Sequence, residues 1–330
     1  MTSPQLGTLS LADLQAGIEP RLGQVETEMR RMIEAEFPLI SDVNQHLLRM
    51  RGKMFRPTLV LLADEATGGP STAGATLAAV IELIHLATLV HDDAVDHSVL
   101  RRGMPTINAL FSHQVSVIMG DFLYSRAVVE LVRYGDLSAL AILARVTNEM
   151  TIGEMRQLLA HDPLAFTEAE YDLLIKAKTA SLISGACEVG ALNAPPAQRS
   201  ALARFGEKLG MAFQIVDDLL DYTADESVTG KPSGLDLREH KVTLPLIYAL
   251  PRFSTAERRG LEALLRNAAP ADQEIADVVA SVANHGGLEQ ARERAQRLVL
   301  QAEEDLGVLP ETAARETLRA SLAYVLERRR

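Results

Sequence analysis

Six carboxylates in two matching triplets are the residues of this chain best placed to do chemistry. Residues 89–103 read LVHDDAVDHSVLRRG and put Asp92, Asp93 and Asp96 within five positions. Residues 213–222 read FQIVDDLLDY and repeat the spacing with Asp217, Asp218 and Asp221. On a helix turning about 100° per residue, the first triplet falls at about 0°, 100° and 40°, an arc of roughly a quarter-turn. One such cluster alone reads equally well as a solvated acidic face, at about 0.2–0.5 kcal/mol per like pair. Both triplets, however, follow apolar runs, LATLVHDD and MAFQIVDD. In a partly buried cleft with an effective dielectric near 20, two charges about 6 Å apart repel by about 3 kcal/mol. Six such charges would threaten a typical stability of about 5–15 kcal/mol, so they call for cations. Hard oxygen donors without His or Cys suit Mg²⁺ or a similar ion, which usually keeps waters and binds substrate phosphates. An EF-hand is excluded, because its alternate-residue ligands and central glycine are missing.

Groups that could bind phosphate stand nearby. Arg101 and Arg102 follow the first triplet, and Lys231 and Lys241 lie in the segment after the second. Upstream, RGKMFRP carries Lys53 and Arg56 three apart. His85, seven residues before Asp92, projects along nearly the same helix face, and Gln214 precedes Asp217 and Asp218 by three and four. Lys178 and Thr179 sit in a third apolar stretch, LLIKAKTASLISG. Taken singly, each basic residue reads as a solvated or snorkelling side chain, and His85 as a satisfied core histidine. The joint pattern, two acidic triplets each followed by basic groups, carries the functional reading.

Helices must position these residues. Ala, Leu, Glu and Arg dominate and all favour helix. Thr167 with Glu170 and Ser254 with Glu257 fit the capping box before apolar residues at helical spacing. Pro195 and Pro196 suit the start of a helix running to about Tyr222, and Gly286 with Gly287 breaks another helix pair. Sustained strand-like alternation is missing. The expectation is an all-α chain of a dozen or so helices, with residues 225–241 (DESVTGKPSGLDLREHK) as a long loop of the kind that forms lids. No composition shift marks a boundary, so residues 1–330 read as a single domain. The net charge of −11 argues against nucleic acid as a partner. The basic run Arg328, Arg329, Arg330 reads as a frayed, solvated terminus. Cys187 is the only cysteine and no secretory signal is seen, so a cytoplasmic setting is expected. No transmembrane segment is expected, since Glu82, His85 and His91 interrupt the most apolar segment, residues 77–90.

With these motifs in hand, the chain resembles the trans-polyprenyl diphosphate synthases over residues 48–250. The matching elements are GKMFRP, the DDAVD–RRG stretch, Gly120-Asp121, Lys178-Thr179, FQIVDDLLD and GKPSGLDLREHKVTLP. The resemblance implies an isoprenoid-synthase helical bundle around a deep central cavity, usually homodimeric. It implies that Asp92, Asp96 and Asp217 ligate two or three Mg²⁺ ions bridging an allylic diphosphate, with Asp93, Asp218 and Asp221 in or behind that shell. Arg101, Lys178, Lys231 and Lys241 would contact the allylic diphosphate. Lys53, Arg56, His85 and Arg102 would bind isopentenyl diphosphate, and Thr179 and Gln214 would lie beside the reacting carbons. The implied reaction is head-to-tail prenyl transfer: the allylic C–O bond ionises, the isopentenyl double bond attacks the cation, and the departing diphosphate takes the proton.

Two departures from the family pattern stand out. His240 replaces a common glycine before Lys241, and Met54-Phe55 replaces a basic-aliphatic pair. The small Ala87 and Thr88, one turn before Asp92, imply a medium- or long-chain product, geranylgeranyl or longer, with Met119, Leu123 and Tyr124 as a deeper floor. Three rivals fit less well. A terpene cyclase would mix Asn, Ser and Glu in the second motif. A His-Asp phosphohydrolase built on His91-Asp92 leaves the second triplet unexplained. A regulatory subunit would be expected to have lost acidic or basic site residues.

Overall fold

The computed structural model describes residues 9–50, 52–159, 163–223 and 234–328. In chain order its helices are α1 (Leu11–Gln15), α2 (Glu19–Ile33), α3 (Pro38–Arg49), α4 (Phe55–Ala66) and α5 (Gly74–Val95). A two-residue antiparallel hairpin follows, β1 (Leu100–Arg101) against β2 (Met104–Pro105), with Leu100 opposite Pro105. Then come α6 (Ile107–Leu110), α7 (His113–Tyr134), α8 (Leu137–Leu159), α9 (Glu168–Ile175), α10 (Ser181–Gly190) and α11 (Pro196–Thr223). The chain closes with α12 (Leu235–Arg238), α13 (Leu244–Ala249), α14 (Thr255–Arg266), α15 (Asp272–Asn284), α16 (Gly287–Asp305) and α17 (Ala313–Glu327). The fold is all-α, as the sequence predicts.

Local chemistry sets the helix ends. Thr167 Oγ1 accepts from the Glu170 amide at 3.3 Å, while Glu170 Oε2 accepts from the Thr167 amide at 2.8 Å, so the expected capping box starts α9. The same reciprocal pair, Ser254 and Glu257, starts α14. Gly286 has φ +72°, a left-handed conformation that ends α15 and turns the chain into α16. The expected loop over 225–241 contains a turn of helix, α12; residues 224–233, including Lys231, lie outside the described residues.

The main core gathers around α5, which packs against α2, α4, α7 and α10, and around α11, which packs against α10, α16 and α17. α5 is long and apolar enough to cross a membrane, but two-thirds of its apolar window (67%) is buried inside the protein. A smaller cluster, including Tyr222, Leu237, Leu261 and Val282, lies under α12 to α15. α10 and α11 approach almost to backbone contact. A Cβ on Gly206 would lie 2.7 Å from the Ile183 carbonyl oxygen, and one on Gly210 would lie 2.6 Å from Ala180 Cα. Only glycine permits that approach, and it sets the start of α10 beside Gln214 on α11.

Candidate active site

The first acidic triplet ends α5. Asp92 is half-buried, Asp93 buried and Asp96, the residue after the helix, exposed. The three therefore divide their work. Asp93 turns into the protein and takes Arg101 from the hairpin, whose Nε lies 2.9 Å from both carboxylate oxygens and whose Nη2 lies 2.8 Å from Oδ1. Asp92 keeps part of its surface open to solvent. Burial pushes its carboxyl up to about 6, against the opposing pull of Lys178 and Arg101, and Glu154 and Asp96 add to the rise.

The second triplet lies near the end of α11. Asp217 is exposed, while Asp218 is buried and accepts from Tyr171 Oη at 2.5 Å and Gln214 Nε2 at 2.9 Å. Burial nevertheless pushes Asp218 up to about 8. Asp221 accepts from the amides of Leu235 and Asp236 at 3.1 and 3.0 Å, capping α12 and fixing where the chain re-enters after residue 233. This brings in Asp236, which burial and the neighbouring Asp221 raise to about 7.

Two basic groups connect the triplets. Between α9 and α10 the helix widens into a π-turn, Lys176–Ala180, a feature often found at functional sites. Lys178 on this turn acts electrostatically on Asp92 and reaches Glu154 at 2.6 Å and Gln157 Oε1 at 3.1 Å. Its neighbour Thr179 donates to Gln214 Oε1 at 2.8 Å, and Gln214 in turn holds Asp218. Adjacent residues of one turn thus address the two acid clusters. Lys241 lies within electrostatic reach of Asp96 in the first cluster and of Asp236 beside the second. Burial works against its proton, yet Glu239 (2.6 Å), Asp236 and Asp96 together hold it above the usual lysine range.

A separate cationic pocket forms where α4 and α5 meet the hairpin. Arg56, Arg102 and the buried Glu82 share it, and the two arginines repel each other's charge while burial lowers both. Burial, reinforced by Arg56, Arg102 and Arg101, pushes His85 well below the usual histidine range, so its imidazole is neutral. Arg56 Nε is buried with no hydrogen-bond partner, and Arg102 Nη1 donates to the Met50 carbonyl at 2.9 Å. Two guanidinium groups set against one buried carboxylate leave net positive charge, which suits a multiply charged anion. Lys53 flanks it on the loop before α4, where its carbonyl accepts from Gln15 Nε2 at 3.0 Å.

Among the described residues the non-glycine positions with positive φ are Met54 (58°), His97 (51°), Arg102 (53°) and His240 (59°). Each is, or adjoins, a candidate site residue, and such backbone strain concentrates at functional sites. His240 thus occupies a left-handed position that would suit glycine, and its Nε2 lies 2.9 Å from the Asn267 carbonyl.

One expectation from the sequence fails. Arg328 is not solvated: its side chain is 7% exposed, and its Nη2 lies 2.8 Å from Asp217 Oδ1. Arg329 and Arg330 lie outside the described residues. The sequence reading also missed Tyr171 and Asp236, and it saw Glu82 only as an interruption of an apolar run. A lone acid in that run was the available signal for Glu82, and Asp236 lay inside a quoted motif. His91, the pivot of the phosphohydrolase alternative, instead meets Asp121 at 3.3 Å and the Val117 carbonyl at 3.2 Å, its ring filling the space beside Gly120.

A family model for polyprenyl synthetases matches residues 37–282. The octaprenyl diphosphate synthase of Haemophilus influenzae is 36% identical over 322 residues, 96% of each chain. Among solved structures, a decaprenyl diphosphate synthase from Rhodobacter capsulatus is similar with a TM-score of 0.91 and 37% identity, covering 97% of this chain and all (100%) of that one. A polyprenyl synthase from Caulobacter crescentus, complexed with calcium and isoprenyl diphosphate, has a TM-score of 0.92 and 32% identity, covering 98% and 99%. The chain belongs to the polyprenyl synthetase family. It is a transferase, a trans-polyprenyl diphosphate synthase that joins isopentenyl diphosphate to an allylic diphosphate.

Proposed function

We propose that Asp92, Asp96 and Asp217 hold Mg²⁺ at the mouth of the cleft and that the ions carry the allylic diphosphate. The donor set fits. It is all carboxylate oxygen, which suits a hard divalent ion that keeps water and substrate oxygens as further ligands. When bound, the metal would offset the negative charge that develops on the leaving diphosphate.

The protein's own groups do the rest. Lys178, Lys241 and the Asp93-oriented Arg101 hold the allylic diphosphate, with Lys231 as a further candidate. Lys53, Arg56 and Arg102 bind isopentenyl diphosphate, and neutral His85 offers that site hydrogen bonding without adding charge. Thr179 and Gln214 line the position of the reacting carbons. Asp93, Asp218 and Asp221 position neighbours rather than substrate. The departing diphosphate takes the proton, so no activated Ser, Cys or His is required.

The observation that supports this reading most directly is Lys241, which pairs with Glu239 at 2.6 Å and also lies within electrostatic reach of Asp236 beside the second cluster and of Asp96 in the first. Its test is product formation from labelled isopentenyl diphosphate and each allylic primer. Chelating Mg²⁺ should abolish turnover, and Asp92→Ala or Asp217→Ala should lower kcat by about 10²–10³-fold. Turnover that survives either change would defeat the assignment.

We further infer a single-domain enzyme that works as a homodimer in the cytoplasm. α7 and α8 expose Ile118, Val132, Leu137, Ile152, Met155 and Leu158, an apolar face that a second copy would cover. Light scattering on the purified protein distinguishes dimer from monomer.

A further inference from the structure

We propose that Arg328 is a positioning residue that occupies the Asp217 carboxylate until a divalent cation takes it, so that the end of α17 gates metal loading at the second acid cluster. The inference rests on the reading of Asp217 as a metal ligand.

Arg328 does not depend on Asp217 for its place. Its guanidinium carbon lies 3.7 Å from the centroid of the Phe213 ring, and its Nη2 donates to the Phe213 carbonyl at 2.9 Å. Phe213 in turn stacks on Phe55 at 5.7 Å with an interplanar angle of 20°, and Phe55 meets Tyr324 of α17 at 5.8 Å. α17 packs on both α4 and α11, so the arginine is carried to the cleft by two helices that themselves bear site residues. Cation–π stacking and a backbone carbonyl hold the guanidinium whether or not Asp217 is present.

The ion pair itself is asymmetric. The arginine side chain is 7% exposed, whereas the Asp217 side chain is 56% exposed and open to solvent. A cation approaching from solvent meets the open side of the carboxylate and competes with the buried arginine for its oxygens. Displacement leaves Arg328 on its aromatic platform, its Nε already without a hydrogen-bond partner. The competition is local to Asp217, because Asp92 and Asp96 have no contact with Arg328 among the described hydrogen bonds and ion pairs.

The test is Mn²⁺ binding to substrate-free enzyme, followed by electron paramagnetic resonance or calorimetry, for wild type, Arg328→Gln, Arg328→Lys and Asp217→Asn. Removing a competing, partly exposed ion pair should tighten the Asp217 site by about three- to tenfold in Arg328→Gln. Arg328→Lys, which keeps the charge and loses the planar fork, should fall between the two. The gain should vanish when Asp217→Asn is added to Arg328→Gln. An Arg328→Gln affinity equal to or weaker than wild type, with a wild-type melting temperature, overturns the proposal. If Asp217→Asn itself binds Mn²⁺ as wild type does, the metal assignment fails instead, and with it the basis of this inference.

Discussion

Asp93 and Arg101 form a fork-to-carboxylate pair at 2.8–2.9 Å, so both oxygens of one acid in the first cluster are already engaged by a guanidinium. Asp93→Asn keeps the shape and removes the charge that orients the guanidinium. Loss of such an orienting partner typically lowers activity about 10- to 100-fold. The expected result is a fall of that size in kcat/KM for the allylic substrate, with metal affinity retained. Asp92→Asn should instead weaken metal binding. If Asp93→Asn lost metal as fully as Asp92→Asn, the division of labour within the triplet would be wrong.

That division shows what the sequence could and could not disclose. The 3.6-residue period placed Asp92, Asp93 and Asp96 on one quarter of a helix, and the capping boxes at Thr167 and Ser254 fixed helix starts correctly. But α5 stops at Val95, and burial separates Asp93 from its neighbours, which no periodicity encodes. Tyr171 reaches Asp218 across 47 positions of sequence, and Arg328 reaches Asp217 across 111. Pairings that distant depend on how the helices pack. The same is true of the π-turn at Lys176–Ala180, where Lys178 and Thr179 are legible as residues but not as a turn that faces two clusters.

Gly52 offers a probe of the cationic pocket. A Cβ there would lie 3.0 Å from Glu82 Oε1 and 3.2 Å from Arg102 Nη1, tighter than ordinary contact. Gly52→Ala should therefore push on the two groups that balance the pocket without touching the acid clusters. Steady-state kinetics should show a severalfold higher KM for isopentenyl diphosphate at nearly unchanged kcat and unchanged KM for the allylic primer, the mark of lost ground-state binding. An effect confined to the allylic KM would place the pocket's ligand wrongly.

His85 gives the pH dependence of stability a definite sign. Its folded value lies well below 6.5, because burial and three nearby arginines oppose the imidazolium. As pH falls below about 6.5, the unfolded chain takes up a proton that the folded chain refuses, so stability declines. Above that pH both states are neutral and this contribution is constant. His85→Gln, neutral throughout, should lose less stability between pH about 7.5 and 5 than wild type. The chain has no Trp, so urea unfolding followed by circular dichroism is the suitable measurement. An identical pH dependence in the two proteins would mean that residue 85 is not the neutral, cation-surrounded group described.

Product length is expected to respond to Thr88. It sits one turn before Asp92, half-buried, its Oγ1 donating to the His85 carbonyl at 2.7 Å, while Ala87 beside it is buried in helix packing. Met119 and Leu123 on α7 are buried against the core, whereas Tyr124 is 39% exposed with its hydroxyl 3.4 Å from Thr147 Oγ1 on α8, so the deeper floor candidates point different ways. A growing chain anchored at Asp92 and Asp96 would extend past residue 88 within its first few isoprene units, since one turn of helix rises about 5.4 Å. Thr88→Phe places a ring of roughly 150–250 Å² in that path. Chromatography of radiolabelled products should then show termination at a short chain with the rate of the first condensation largely kept, while Tyr124→Ala should leave the distribution as it was. Full-length products from Thr88→Phe would put the elongation path on another face of α5.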